Sequence, residues 1–140
     1  MTHPHLIATA ADAQQFVLGG RARFTLVSKP TGKRYTYRVS KAKDTDDVFF
    51  ASLLVGQNNE QDYEYIGFTK NGNALIPGRK GNPSHPAFLG LDWALRQFSA
   101  GKMPEQLEIW HEGRCARCGR ALTDPASIEA GFGPECINHI

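Results

Sequence analysis

Long apolar runs are missing from this 140-residue chain. Its longest strongly apolar stretch, Val48 to Val55, falls far short of the roughly 20 residues that a membrane-spanning helix requires. A transmembrane reading is therefore excluded, and no membrane partner is expected. Residues 1 to 10 carry no basic segment ahead of an apolar core, which argues against a secretory leader and leads us to expect a cytoplasmic protein. Cysteine is scarce, with three residues that all lie between positions 115 and 136. An odd, clustered set fits a reduced metal site better than a disulfide scaffold. Charge of one sign is also lacking, since the formal net charge is only +2. Catalytic signatures are absent too: there is no P-loop, no dinucleotide-binding Gly-x-Gly-x-x-Gly and no nucleophile elbow. An enzyme is not indicated.

What is present reads as one ordinary soluble domain with a small appended module. Residues 8 to 18 are rich in Ala and Gln and stop at Gly19-Gly20, which predicts a short packing helix. From residue 21 the period changes to two, with Phe24 and Leu26, then Tyr35, Tyr37 and Val39, around the turn residues Lys29-Pro30-Thr31-Gly32. This predicts a β-hairpin. Two further strands are expected at 47–55 and 62–69, joined through Gly56-Gln57-Asn58-Asn59, and residues 71–83 should be mostly loop. Ser84 is placed to cap a helix in which Phe88, Leu91, Leu95 and Phe98 recur at helical spacing, with Gly101 beyond its end. Leu107 and Ile109 mark a last strand. The expected fold is α+β, an antiparallel meander packed with one main helix, over a core that includes Phe24, Phe50, Leu54, Phe88, Leu91, Leu95 and Phe98. Residues 1–106 form this core domain and 107–140 a zinc-binding module packed on it.

The small net charge conceals a strong asymmetry. Residues 13–43 hold Arg21, Arg23, Lys29, Lys33, Arg34, Arg38, Lys41 and Lys43 with no acid, whereas residues 44–69 hold six acids and no cation. The basic run either pairs across strands with the acidic one or stands open to a partner.

Cys115-Ala116-Arg117-Cys118-Gly119 is a Cys-x-x-Cys turn that aims two thiolates at one ion. A third thiol follows in Gly133-Pro134-Glu135-Cys136, with Pro134 near the start of a helix that carries Cys136 and His139 three apart. The pattern is that of a treble-clef or zinc-ribbon-like knuckle. A closed Zn²⁺ site takes four ligands, so Cys115, Cys118 and Cys136 need one histidine, and His111 and His139 compete for that place. His3, His5 and His85 are not expected to bind it. One structural zinc ion is expected. A hydrolytic zinc is disfavoured, because a cysteine-rich set is typical of closed sites and the His-x-Glu with later Pro-Cys-x-x-Cys of the zinc deaminases is missing.

The run Cys-x-x-Cys-Gly-Arg-x-Leu-Thr-x-Pro-x-Ser-Ile-x-x-Gly-x-Gly-Pro-x-Cys, here Cys115 to Cys136, resembles an uncharacterised family of phage and mobile-element proteins. The lead-in His111 to Cys115 and, more loosely, the strand-rich region around Asn59 to Gly67 are similar as well. The resemblance implies a viral or plasmid accessory protein working in the host cytoplasm. It also favours His111 as a ligand, and it brings no activity with it.

Two functions fit these residues. In the first, Lys29, Lys33, Arg34 and Arg38 of the hairpin and Arg114, Arg117 and Arg120 of the knuckle contact DNA or RNA phosphates, with Tyr35, Tyr37 and Phe24 as stacking faces. In the second, the protein binds a host protein and inhibits or redirects an enzyme or defence factor.

Overall fold

The computed structural model describes residues 5–45, 47–56, 61–78, 84–122, 125–133 and 135–139, the side chains at 125, 129, 138 and 139 excepted. The sequence expectations at Gln57 to Asn59, at Gly81-Asn82-Pro83, at Pro134, at His3 and for the His139 side chain lie outside the described residues. Seven strands are found among the described residues: β1 (Leu6–Ile7), β2 (Arg21–Ser28), β3 (Arg34–Lys41), β4 (Val48–Leu54), β5 (Tyr63–Lys70), β6 (Ile76–Pro77) and β7 (Leu107–His111). They form one antiparallel sheet in the order β1-β7-β2-β3-β4-β5-β6. β2 to β5 are the meander read from the sequence. β6 adds a short strand inside the stretch expected to be mostly loop. β7 returns to lie between β1 and β2, and from His111 the chain leaves the sheet straight into the cysteine turn.

Two helices, α1 (Ala10–Val17) and α2 (Pro86–Ser99), bury their apolar stripes with one face of the sheet. In α1 the Thr9 hydroxyl accepts from the Asp12 N–H, which satisfies one of the donors that a helix start leaves open. In α2 the cap is His85 rather than Ser84. The His85 Nδ1 accepts from the Ala87 N–H at 3.0 Å, with Pro86 fixing φ at the first helical position. Phe88, Leu91, Leu95 and Phe98 are all buried, as their spacing requires. The Tyr37 hydroxyl donates to the Ala87 carbonyl at 2.6 Å inside the core and pins α2 to β3. Burial, then the neighbouring Tyr35, pushes the Tyr37 phenol pKa above its ordinary range.

On β4 the inward residues are Phe49, Ala51 and Leu53, one out of phase with the Phe50 and Leu54 expected from sequence. The strand is apolar at nearly every position, so alternation carries no phase. The register Val39↔Ala51 decides it, because Val39 already faces the helices. Phe50 is instead 43% exposed on the opposite face. That face presents Arg23, Thr25, Thr36, Arg38, Ser52, Tyr63, Tyr65 and Trp110, and none of these is buried. None of the described helices is long and apolar enough to cross a membrane.

Candidate metal centre and the basin beside it

The cysteine turn is a tight hairpin. Arg114 bridges Ala121, the Cys115 N–H donates to the Arg120 carbonyl at 2.9 Å, and the Leu122 N–H donates to the Gly113 carbonyl at 2.7 Å. Gly119, at φ 79°, turns the chain at its tip. After α3 (Pro125–Ala130), the Ala116 N–H donates to the Gly131 carbonyl at 2.9 Å, which ties the turn to the segment leading into a 3₁₀ turn at Cys136–His139. This brings Cys115, Cys118 and Cys136 together, with their sulfur atoms within 4.8 Å of one another and no disulfide among them.

The donor set suits a metal ion. Tetrahedral Zn–S bonds of about 2.3 Å place sulfurs about 3.8 Å apart, which small rotamer changes reach from here. Electrostatics point the same way. Burial works against ionising Cys115, but N–H donors from Gly133, Cys118 and Arg117 and the Cys118 thiol outweigh it and bring its pKa down to about 7. At Cys136 the Arg117 guanidinium, 3.5 Å from Sγ, favours the thiolate, yet burial, the two neighbouring sulfurs and the charge on Cys115 together raise its pKa. Three thiolates this close cannot coexist without a compensating cation, and a divalent ion supplies it.

Of the two candidate histidines, only His111 has a described side chain. His111 is buried at the end of β7, with its ring stacked on that of His5 at 4.8 Å and tilted against that of Phe16 at 5.4 Å. Its Nδ1 accepts from the Gly113 N–H at 3.0 Å. Among the described residues the metal-capable group consists of the three cysteines and does not include His111.

The knuckle is docked on the core. Cys115, Ala116, Phe132 and Cys136 belong to the same apolar cluster as the helices, and Phe132 meets Phe16 edge-on at 6.3 Å. The Arg21 N–H donates to the Ala116 carbonyl at 2.7 Å. Gly19 lies so close that a Cβ there would fall 2.8 Å from Ala116, so only glycine allows this approach.

Docking creates a basin of about 530 Å³ between the ends of β2 and β3 and the knuckle, lined by Arg21, Arg23, Arg38, Lys41, Lys43 and Arg114 together with Cys118 and Gly119. No Asp or Glu is among its described lining residues. Arg117 lines the adjoining hollow with Arg21 and Lys43. Arg23 and Arg38 stand opposite each other across β2 and β3, a like-charge pairing that costs stability. Two contacts offset it: Glu112 lies 3.6 Å from Arg23, and the Tyr63 ring lies under Arg38 at 4.6 Å and near Arg23 at 5.9 Å.

The basic residues singled out from sequence are thus split. Arg38 and Arg114 are in the basin, Arg117 is beside it, and Arg120 lines the cysteine cavity. Lys29, Lys33 and Arg34 lie at the other end of the hairpin, about 23 Å along β3 from Lys41 at 3.3 Å per residue. Arg21, Arg23, Lys41 and Lys43 belong to the basic run, but sequence reasoning assigns them to no site. The signal available for two of them is the spacing of Arg21 and Arg23, two apart on one face of a strand that begins where the first helix ends. The aromatic residues suggested for stacking are placed otherwise: Phe24 and Tyr37 are core residues, and Tyr35 packs edge-on against His85 at 6.2 Å.

Residues 109–140 match the model of a family described as a family of unknown function, DUF6011. The matched stretch takes in His111 and all three cysteines. No curated protein and no solved structure matches the chain.

Proposed function

We propose that this protein is a nucleic-acid-associated accessory module in which one structural Zn²⁺ ion, held by Cys115, Cys118, Cys136 and a histidine, fixes the knuckle against the sheet and so shapes a phosphate-binding basin. The observation that carries the reading is the convergence of six cations from β2, from β3 and its following loop, and from the knuckle on one concave surface whose described lining has no carboxylate. Such a surface concentrates positive potential despite the chain's small net charge. When bound, the metal supplies rigidity and the compensating charge for three thiolates. The arginines and lysines neutralise phosphates. A phage or mobile-element setting is what the motif resemblance adds.

The test is binding of the metal-loaded protein to labelled DNA and RNA, followed by anisotropy as salt rises from about 50 to 200 mM. Affinity should fall steeply, because each neutralised phosphate releases counterions. Absence of binding at the low-salt end would overturn the reading and leave the basin to an acidic protein partner.

A further inference from the structure

The basin opens onto the face of the sheet that the helices leave bare. Phe50 and Tyr65 are 43% and 46% exposed there, with ring centroids 6.0 Å apart and planes at 73°. They are fixed in place. β4 and β5 pair Ser52 with Tyr65 across a register shift at Ala51/Ser52, and a Cβ on Gly78 would come within 2.6 Å of the Tyr65 ring, so the backbone lies directly against it. Phe50 pairs across β3 and β4 with Ser40, itself a residue of the basin lining, and Tyr63, two residues from Tyr65 on the same strand, has the guanidinium of Arg38 at 4.6 Å from its ring centroid. Arg38 itself lines the basin. Cations and rings therefore follow one another without interruption across the sheet.

From this continuity we propose that the occupant is single-stranded nucleic acid, its phosphates in the basin and its unpaired bases stacked on Phe50 and Tyr65. The inference rests on the phosphate-binding reading above and adds the strandedness. A duplex keeps its bases inside the stack, so exposed rings on an open sheet gain nothing from it, whereas an unpaired base offers a π-face to any ring. Duplex readers insert a helix or a β-ribbon into a groove. Here the cations line a concavity, and the rings lie on a broad face beside it. Stacking of this kind tolerates any sequence, so no base preference is required of the protein.

The experiment compares a short oligo(dT), an oligo(U) of the same length, about 12 nucleotides, and a duplex of equal length, each titrated with metal-loaded wild type and with Phe50→Ala and Tyr65→Ala. The single strands should bind at least about tenfold more tightly than the duplex. Each substitution should weaken single-strand binding by about tenfold or more, leave duplex binding unchanged and preserve the melting temperature. The two single-stranded arms show whether DNA or RNA is preferred. Equal affinity for duplex and single strand, unmoved by either substitution, would overturn the platform while leaving the basin's role standing. No binding to any of the three would overturn the basin as well. Sedimentation showing a dimer that Phe50→Ala disperses would also overturn it, by assigning the bare face to a second copy of the chain.

Discussion

The Arg21 N–H donates a 2.7 Å hydrogen bond to the carbonyl of Ala116, so the first residue of β2 and a residue inside the Cys115-x-x-Cys118 turn are held as one unit. Whatever orders the cysteine turn therefore also sets one wall of the cationic basin. The cysteine cluster, the sheet and the basin are mechanically linked through this contact and through the packing of Phe132 on Phe16.

Purified protein should carry one zinc ion per chain. Its removal by a chelator should lower the melting temperature, since structural zinc sites contribute folding energy directly and Cys115 and Cys136 are buried in the core cluster. Elemental analysis and thermal melts check both. The fourth ligand separates by substitution. A 3₁₀ turn keeps positions 136 and 139 in register, so His139→Ala should weaken metal retention. His111→Ala should keep the metal and lose stability through the space its ring leaves between those of His5 and Phe16.

Metal affinity should decline as pH falls, because protons compete for the thiolates. Cys136, with its raised pKa, holds a proton in the metal-free protein at neutral pH. Cys115, with its pKa lowered to about 7, takes up its proton progressively as pH falls through that value. The loss of affinity should therefore steepen below neutrality, as read by competition with a zinc indicator across pH 6 to 8, a window spanning about one unit either side of that value.

Phe98→Ala should cost about 3 to 5 kcal/mol, as expected for a large buried aromatic residue whose cavity cannot refill. Phe50→Ala should cost less than about 1 kcal/mol, because its ring sits on the bare face. Denaturant titration of both variants distinguishes this register from one in which Phe50 points inward.

Charge reversal should act by position. Lys41→Glu with Lys43→Glu should weaken binding and flatten its salt dependence, by roughly 0.7 in slope for each phosphate of a single strand that is no longer neutralised. Lys33→Glu with Arg34→Glu, at the far end of the hairpin, should change both far less. Equal effects from the two pairs would mean that the whole hairpin, and not the basin, meets the phosphates.

The sequence is most legible where local rules have one solution. The α2 stripe, the hairpin around Lys29-Pro30-Thr31-Gly32 and the convergence of the three cysteines follow from spacing alone. The phase of β4 is not legible, because Val48-Phe49-Phe50-Ala51 is apolar on both faces and only pairing with β3 selects one. Neither is the insertion of β7 between β1 and β2, a long-range pairing with no local signature. The basin is half legible: its cations stand out as a run without acids, but which of them converge depends on where the knuckle docks. Gly19 permits that docking, and its role shows only when Ala116 is seen against it.

In the proposed arrangement the metal holds the knuckle in place and the knuckle holds the basin in place. The measurement that tests it most directly is nucleic-acid affinity at one fixed salt concentration as zinc is withdrawn stepwise and then restored. Affinity should fall in proportion to the zinc removed and return when zinc is added back. Affinity that stays unchanged in protein shown to be metal-free would contradict it.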